Sequence, residues 1–230
     1  MESLARYNPK NKIAITGEEL LQYFPNEWKE QYWKDFAVNM LCDLGACFDK
    51  HNIEWMLIGG TLLGAVRHGG LIPWDDDIDI SVFDFDISNL QKIWGELPNY
   101  YYRVMYSPRD KNYLQVYSKY GEQIRGNDAR WPYIDLFFHT HKDEQVGVST
   151  EGFILPEKDV YPLQRIDFEG KLLPIMQNPY DNYFDPMYPD WREYCVSNDW
   201  CHRRETSYHR NMIKVPIKEL KKYYQFRNIV

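Results

Sequence analysis

The sequence predicts a single α+β domain built on a mixed sheet with helices packed along one side. Three observations predict it. Apolar residues recur at helical spacing from Trp33 to Phe48. Residues Tyr100 to Tyr106, Tyr113 to Ser118 and Tyr133 to Phe138 read as strands. Between helix and strands lies IGGTLLGAVRHGGLIPWDDDIDI, from Ile58 to Ile80. It holds a glycine pair opening a short helix, a reversal at Gly69-Gly70, and acids at alternate positions.

Composition narrows the function classes. Hydrophobic residues make up 44% of the 230 and aromatics 17%, which argues against a disordered chain. The formal net charge of −7 disfavours a nucleic-acid partner, which needs a basic face. Cys42, Cys47, Cys195 and Cys201 give no clear disulfide framework, so reduced thiols and a cytoplasmic setting are expected. MESLARYNPKNK lacks the apolar stretch of a signal peptide, and no run is long enough for a membrane span.

Residues 1–15 read as an irregular lead-in. Thr16-Gly17-Glu18-Glu19 is a capping box for a short helix through Leu20, Leu21 and Phe24, stopped before Pro25. Asn26 can cap the next helix, whose Trp33, Phe36, Ala37, Met40, Leu41, Leu44 and Phe48 form one apolar face. His51-Asn52 closes it. Trp55 to Ile58 is then a buried strand ending at Gly59-Gly60, with Thr61 as N-cap of a short helix. A helix N-terminus favours an anion, and glycines let a phosphate approach the backbone.

Asp75, Asp77 and Asp79 alternate and fall on one face of a strand, with Ile78 and Ile80 on the other and Asp76 near its start. Carboxylates this crowded raise one another's pKa unless a cation neutralises them, and Mg²⁺ prefers such oxygens. The rival reading is an acidic edge strand that resists aggregation. A calcium loop starting at Asp75 fails, because Ile80 and Asp86 stand where glycine and glutamate are needed.

Further on, Asp86 to Leu97 reads as a helix and Gly121 to Arg130 as a loop, with Ser107 to Asp110 a hairpin-like connection. Asp135 is a lone carboxylate in an apolar strand, costly to bury without a cationic partner or a metal. His139 and His141 share a strand face as structural or substrate-facing groups. Arg67 could meet a phosphate or ion-pair with an aspartate, and His68 could orient substrate or finish the helix. Ile166 to Leu173 is a hairpin about Glu169-Gly170, and Pro174 to Pro189 a set of turns. The last thirty residues are basic, an anion-binding patch or a solvated face; Cys195, Cys201, His202 and His209 fit no common zinc spacing.

GGT-x-LG, the Arg67-His68 pair, Pro73-Trp74 and the acid ladder together resemble the LicD/fukutin-related phosphotransferases, within the nucleotidyltransferase (DNA polymerase β-like) superfamily. A weaker likeness continues through Tyr133 to Phe137, Tyr161-Pro162-Leu163 and Phe168-Glu169-Gly170. Tyr188-Pro189-Asp190-Trp191 departs from the family's tyrosine-glycine pair. The resemblance implies a nucleotidyltransferase fold: an N-terminal helical segment over 1–50, a catalytic core over 51–190 and a basic segment of the same domain over 191–230.

It also implies metal-dependent transfer of a phospho-alcohol, such as phosphocholine or ribitol phosphate, from a CDP-linked donor to a glycan or lipid-linked sugar acceptor. Asp77, Asp79 and Asp135 would be the catalytic metal ligands for Mg²⁺ or Mn²⁺, and Asp75 occupies a matching acidic position. Gly59, Gly60, Thr61 and Arg67 would hold the donor phosphates. The alternatives are transfer of a nucleotide, and a non-catalytic member that binds glycan or nucleotide.

Overall fold

A computed structural model of the chain describes residues 17–107, 111–148 and 153–228. The lead-in, Thr16 of the capping box and most of the 107–110 connection lie outside the described residues. The chain opens with helices α1 (Glu18–Tyr23) and α2 (Gln31–Lys50). Asn26 does not cap α2. Its Oδ1 accepts the Trp28 N–H at 3.1 Å, closing a separate turn that buries Trp28, and the helix begins five residues later. The α2 face formed by Ala37, Met40, Leu41, Leu44 and Phe48 is buried as the spacing predicts. Truncating Phe48 to alanine would cost roughly 3–5 kcal/mol.

Strand β1 (Trp55–Leu57) leads into helix α3 (Gly59–Arg67), then β2 (Ile78–Phe83) and helix α4 (Ile87–Ile93). The Asp86 carboxylate caps α4 by accepting the Asn89 N–H at 2.8 Å. There follow β3 (Tyr100–Ser107), β4 (Lys111–Gln123), β5 (Arg130–Lys142), β6 (Gln145–Val148) and β7 (Phe153–Pro156). They form one sheet in the order β1-β2-β5-β4-β3, with β6 joining β5 to β7. Strands β2 and β5 are parallel and the other paired neighbours antiparallel, so the sheet is mixed and the α+β expectation holds. Helix α2 lies against β5.

Two boundaries near the site differ from the sequence reading, and β5 also extends the expected Tyr133 to Phe138 strand at both ends. Strand β4 runs on to Gln123 past an irregularity between Tyr117 and Glu122, because Glu122 and Gln123 find partners in Trp131 and Arg130. The strand carrying the acids begins only at Ile78, so Asp75 and Asp77 sit in the loop before it and Asp79 alone is in the ladder. That loop is clamped in place. Trp28 Nε1 donates to the Asp75 carbonyl at 2.5 Å, Trp131 Nε1 to the Asp76 carbonyl at 2.7 Å, and Asn198 Nδ2 to the Trp74 carbonyl at 3.0 Å.

Register decides what shares a face. Asp79 stands opposite Asp135, Asp135 opposite Gln115, and Gln115 opposite Arg103. Opposed residues point to the same side of a sheet, so a polar row crosses four strands. The buried Ile80, Leu136 and Leu114 point to the other side.

Beyond β7 come helix α5 (Glu157–Val160), the hairpin β8 (Gln164–Phe168) and β9 (Lys171–Ile175), a π-turn over Tyr180–Phe184 and helix α6 (Asp185–Met187). The C-terminal segment adds β10 (Tyr194–Val196), β11 (Trp200–Cys201), β12 (Thr206–Ser207), β13 (Lys214–Pro216) and helix α7 (Ile217–Leu220). Several of its basic residues are committed inside the fold. Arg203 pairs with Glu122 at 2.5 Å and lies over Trp131, Lys214 pairs with Asp190 at 2.7 Å, and Arg227 pairs with Asp167 at 2.7 Å. Among the described residues, no helix is long and apolar enough to cross a membrane.

Candidate active site

The parallel pairing of β2 with β5 brings Asp79 and Asp135 side by side, and the preceding loop delivers Asp77 to them. One oxygen from each of Asp77, Asp79 and Asp135 lies within 4.8 Å of the others. Asp135 is buried, and its Oδ1 has no hydrogen-bond partner. Such an atom is costly in a protein interior unless something positive meets it. The electrostatics agree. Burial first, then the Asp77 charge, pushes Asp135 up to about 8. Burial, then Asp77, Asp135 and Asp75, holds Asp79 well above the usual carboxylate range. Asp75 rises to about 8 through burial and Asp77, and Asp77 is raised chiefly by burial. Three converging carboxylates with an orphaned oxygen fit a hard divalent cation such as Mg²⁺ or Mn²⁺.

The glycine pair is held close to these acids. Gly59 has φ +57°, and a Cβ there would fall 2.4 Å from Asp79 Oδ2. At Gly60 a Cβ would fall 2.5 Å from Asp75 Oδ2. The Gly60 N–H lowers the Asp79 pKa by hydrogen bonding to its carboxylate, and the Gly59 N–H donates to the Tyr183 hydroxyl at 2.8 Å. Thr61 is not the N-cap. Helix α3 starts two residues earlier, with Ile58 in that position, and the buried Thr61 hydroxyl accepts the Asp79 N–H at 2.8 Å. Thr61 therefore ties the helix to the strand beneath it.

Beside these groups lies a cleft of about 630 Å³, lined on one side by Gly60, Arg67, Asp75, Asp77 and Asp79, with the buried Asp135 not on its surface. Its other wall is Tyr188, Trp191, Tyr194, Asn198, His202 and Lys214. Gly59 and Thr61 stand behind this surface. Arg67 is 3% exposed, its Nη1 is 3.5 Å from the Tyr194 carbonyl, and it lies over Trp74. Among the described residues no carboxylate lies within ion-pair distance of it, so the ion-pair reading of Arg67 is set aside. Arg67 Nε donates to His68 Nε2 at 3.2 Å, which leaves His68 Nδ1 to donate to the Gln225 carbonyl at 2.8 Å. Burial and Arg67 lower His68 to about 3. His68 thus closes helix α3 and fastens the C-terminal segment to it.

Several residues of this neighbourhood take roles the sequence did not suggest. From sequence, Asp76 is only placed near the strand's start, and His202 only in a set that fits no common zinc spacing. Asp76 is 1% exposed and accepts the His202 and Arg203 N–H groups at 3.1 and 2.9 Å. Asn198 donates to Asp75 Oδ1 at 2.7 Å, and His202 Nε2 lies 3.3 Å from Asp77 Oδ2. Burial pulls His202 down, but Asp77 and the neighbouring acids outweigh it and lift its pKa to about 9. The two-residue period could have placed Tyr133 beside Asp135; no local signal marks His202, more than sixty residues away. Cys195, Cys201, His202 and His209 form no metal-binding group among the described residues. His139 is buried against Phe83, lowered to about 3 by burial, and His141 faces Glu157 at 3.5 Å. Neither lines the cleft.

The nucleotidyltransferase domain of LicD/FKTN/FKRP matches residues 52–178, more than half of the chain. A protein of Rickettsia typhi is 29% identical over 163 residues, covering 68% of this chain and 47% of its own length. The lipopolysaccharide cholinephosphotransferase LicD of Haemophilus influenzae is 36% identical over 68 residues, 30% of this chain and 26% of that protein. Human ribitol 5-phosphate transferase FKRP is 44% identical over 43 residues, 19% of this chain and 9% of that protein. The chain spans about half the length of the Rickettsia relatives. Among solved structures, ANT(2'')-Ia in complex with adenylyl-2''-tobramycin superposes with a TM-score of 0.42 at 18% identity, over 66% of this chain and 78% of that one. With the family's domain matched across the glycine pair, the acid ladder and Asp135, this chain belongs to the LicD/FKTN/FKRP nucleotidyltransferase-domain family.

Proposed function

We propose that this protein is a metal-dependent phosphotransferase that moves a phospho-alcohol from a CDP-linked donor onto a glycan or a lipid-linked sugar. The observation that carries the reading is the convergence of Asp77, Asp79 and Asp135, with an orphaned oxygen on Asp135. The names of two relatives, a cholinephosphotransferase and a ribitol 5-phosphate transferase, support the phospho-alcohol. Asp77, Asp79 and Asp135 would hold Mg²⁺ or Mn²⁺, with Asp75 beside them. Such an ion, when bound, supplies Lewis-acid stabilisation of phosphoryl oxygens.

The chain's own residues supply the rest. Gly60 gives the donor diphosphate a surface without a side chain, backed by Gly59 and Thr61, and Arg67 offsets charge on the leaving group. Asp135 would accept the proton of an attacking hydroxyl. The aromatic wall of Tyr188, Trp191 and Tyr194 suits a sugar or base ring.

The test is incubation with CDP-choline, CDP-ethanolamine and CDP-ribitol, with Mg²⁺ or Mn²⁺ and with EDTA, reading CMP release and the mass of the phospho-alcohol product formed on a glycan acceptor or, without one, on water. Metal-dependent release is expected, and Asp79→Ala should lose it by orders of magnitude while remaining folded. Full activity in that variant would refute the site. The family's nucleotidyltransferase domain also favours a second reading, transfer of the nucleotide itself. A product heavier by a nucleotide, from a nucleoside triphosphate, would establish that one.

A further inference from the structure

Two arms of polar contacts, hydrogen bonds along their length and ion pairs at the Asp77 end and at the Arg103–Glu205 root, reach the site acids from one place. Tyr133 lies on the same face of β5 as Asp135. Its hydroxyl donates its single proton to Glu205 Oε1 at 2.8 Å. The oxygen can then only accept from His202 Nδ1, 2.6 Å away, so that nitrogen carries a hydrogen. The other ring nitrogen, Nε2, faces Asp77 Oδ2 at 3.3 Å.

The second arm crosses the sheet. Arg103 Nη1 donates to Asn127 Oδ1 and Nε to Gln115 Oε1, each at 2.6 Å. With the amide oxygen of Gln115 taken, its NH₂ is the end left for Asp135, directly opposite in the ladder. Both arms have the same root, since Arg103 Nη2 lies 3.6 Å from Glu205 Oε1.

We propose that the Arg103–Glu205 pair anchors a forked relay, through Tyr133 and His202 on one arm and Gln115 on the other, that positions Asp77 and Asp135 for a divalent cation. This rests on the metal reading above. Outer partners of this kind fix the rotamer of a ligand and aim its lone pairs. All these groups are positioning residues, held one contact or more behind the acids. His202 and Glu205 also lie beyond residues 52–178, so the C-terminal segment becomes part of the site's apparatus and not a covering only.

The test is titration of the full chain with MnCl₂ alone by calorimetry, which reads affinity without turnover. Tyr133→Phe removes one hydroxyl, Gln115→Leu removes one amide, and Glu205→Ala removes the shared root. Each should weaken Mn²⁺ about tenfold or more, and Glu205→Gln, which keeps an acceptor oxygen, should recover part of the loss. Tyr208→Phe is the control. It deletes a similar tyrosine–glutamate bond, to Glu27 at 2.5 Å, outside the cleft. Circular dichroism checks that each variant is folded; should Glu205→Ala fail, Tyr133→Phe and Gln115→Leu carry the test.

If those two bind Mn²⁺ as tightly as the parent chain, the relay is wrong while the metal site stands. If Tyr208→Phe weakens binding equally, the effect is general loss of stability and the relay is again wrong. A parent chain that binds no Mn²⁺ removes the metal reading, and the relay with it.

Discussion

Replacing Asp135 by asparagine isolates the electrostatic cost of the site. The two side chains have nearly the same shape, so the change removes charge and little volume. In the metal-free protein Asp135 titrates at about 8, against an ordinary 3.8, because of burial and then Asp77. Between those values the folded chain keeps a proton that the unfolded chain has released, so stability falls as pH rises through that window. Above about 8 both states are ionised and the loss levels off; below 3.8 the group contributes nothing. At roughly 1.4 kcal/mol per unit, the full effect is on the order of 6 kcal/mol.

For a chain of this length 1 kcal/mol moves Tm by about 2–4 °C. Asp135→Asn should therefore melt about 10 °C or more above the parent protein at pH 9 in EDTA, and close to it at pH 4. Adding Mn²⁺ should reverse the order, raising the parent and leaving the variant unmoved. The assay is thermal melting by circular dichroism across pH 4–9. Should the metal-free parent and Asp135→Asn melt together at pH 9, neither burial nor Asp77 disfavours the Asp135 charge, and the electrostatic reading is refuted.

Other expectations concern how the site is built. Gly59→Ala combines a φ of +57° with a Cβ 2.4 Å from Asp79 Oδ2. It should cost several degrees in Tm and most of the metal-dependent activity, measured by melting and CMP release. Asp76→Ala leaves the His202 and Arg203 N–H groups without their acceptor. Two unsatisfied donors are worth on the order of 2–6 kcal/mol, to be read by urea denaturation, and hydrogen exchange should quicken at 202 and 203. Cys47, Cys195 and Cys201 are buried and Cys42 half-buried, with every thiol pKa raised chiefly by burial. A thiol reagent should label Cys42 first and the other three only on unfolding.

Much of the site was legible because it is local. Glycines at 59 and 60 and acids at 75, 77 and 79 sit within one short stretch, and residue type alone marks them as a candidate cluster. Asp135 was legible because a carboxylate inside an apolar strand demands a reason. The alternation of Asp75, Asp77 and Asp79 invited one continuous strand. The chain instead reserves the ladder for Asp79 and bends Asp75 to Asp77 into a loop held by Trp28, Trp131 and Asn198. Thr61 looked like a cap because its residue type fits one, yet its hydroxyl answers a strand N–H eighteen residues away.

By itself, then, the sequence determined the α+β class, the packing face of the long helix, and which acids to weigh as a cluster. These follow from periodicity and from the cost of leaving polar groups unpaired, both written along the chain. Only tertiary structure decided that β2 and β5 run side by side in the register that joins Asp79 to Asp135. It alone brought His202 and Glu205 to Asp77 and Tyr133, and gave several of the basic C-terminal residues partners within the fold. Those are contacts between residues far apart in the chain, and register and side-chain partners at such distance are set by packing and satisfied hydrogen bonds, which leave no periodic trace in any one segment.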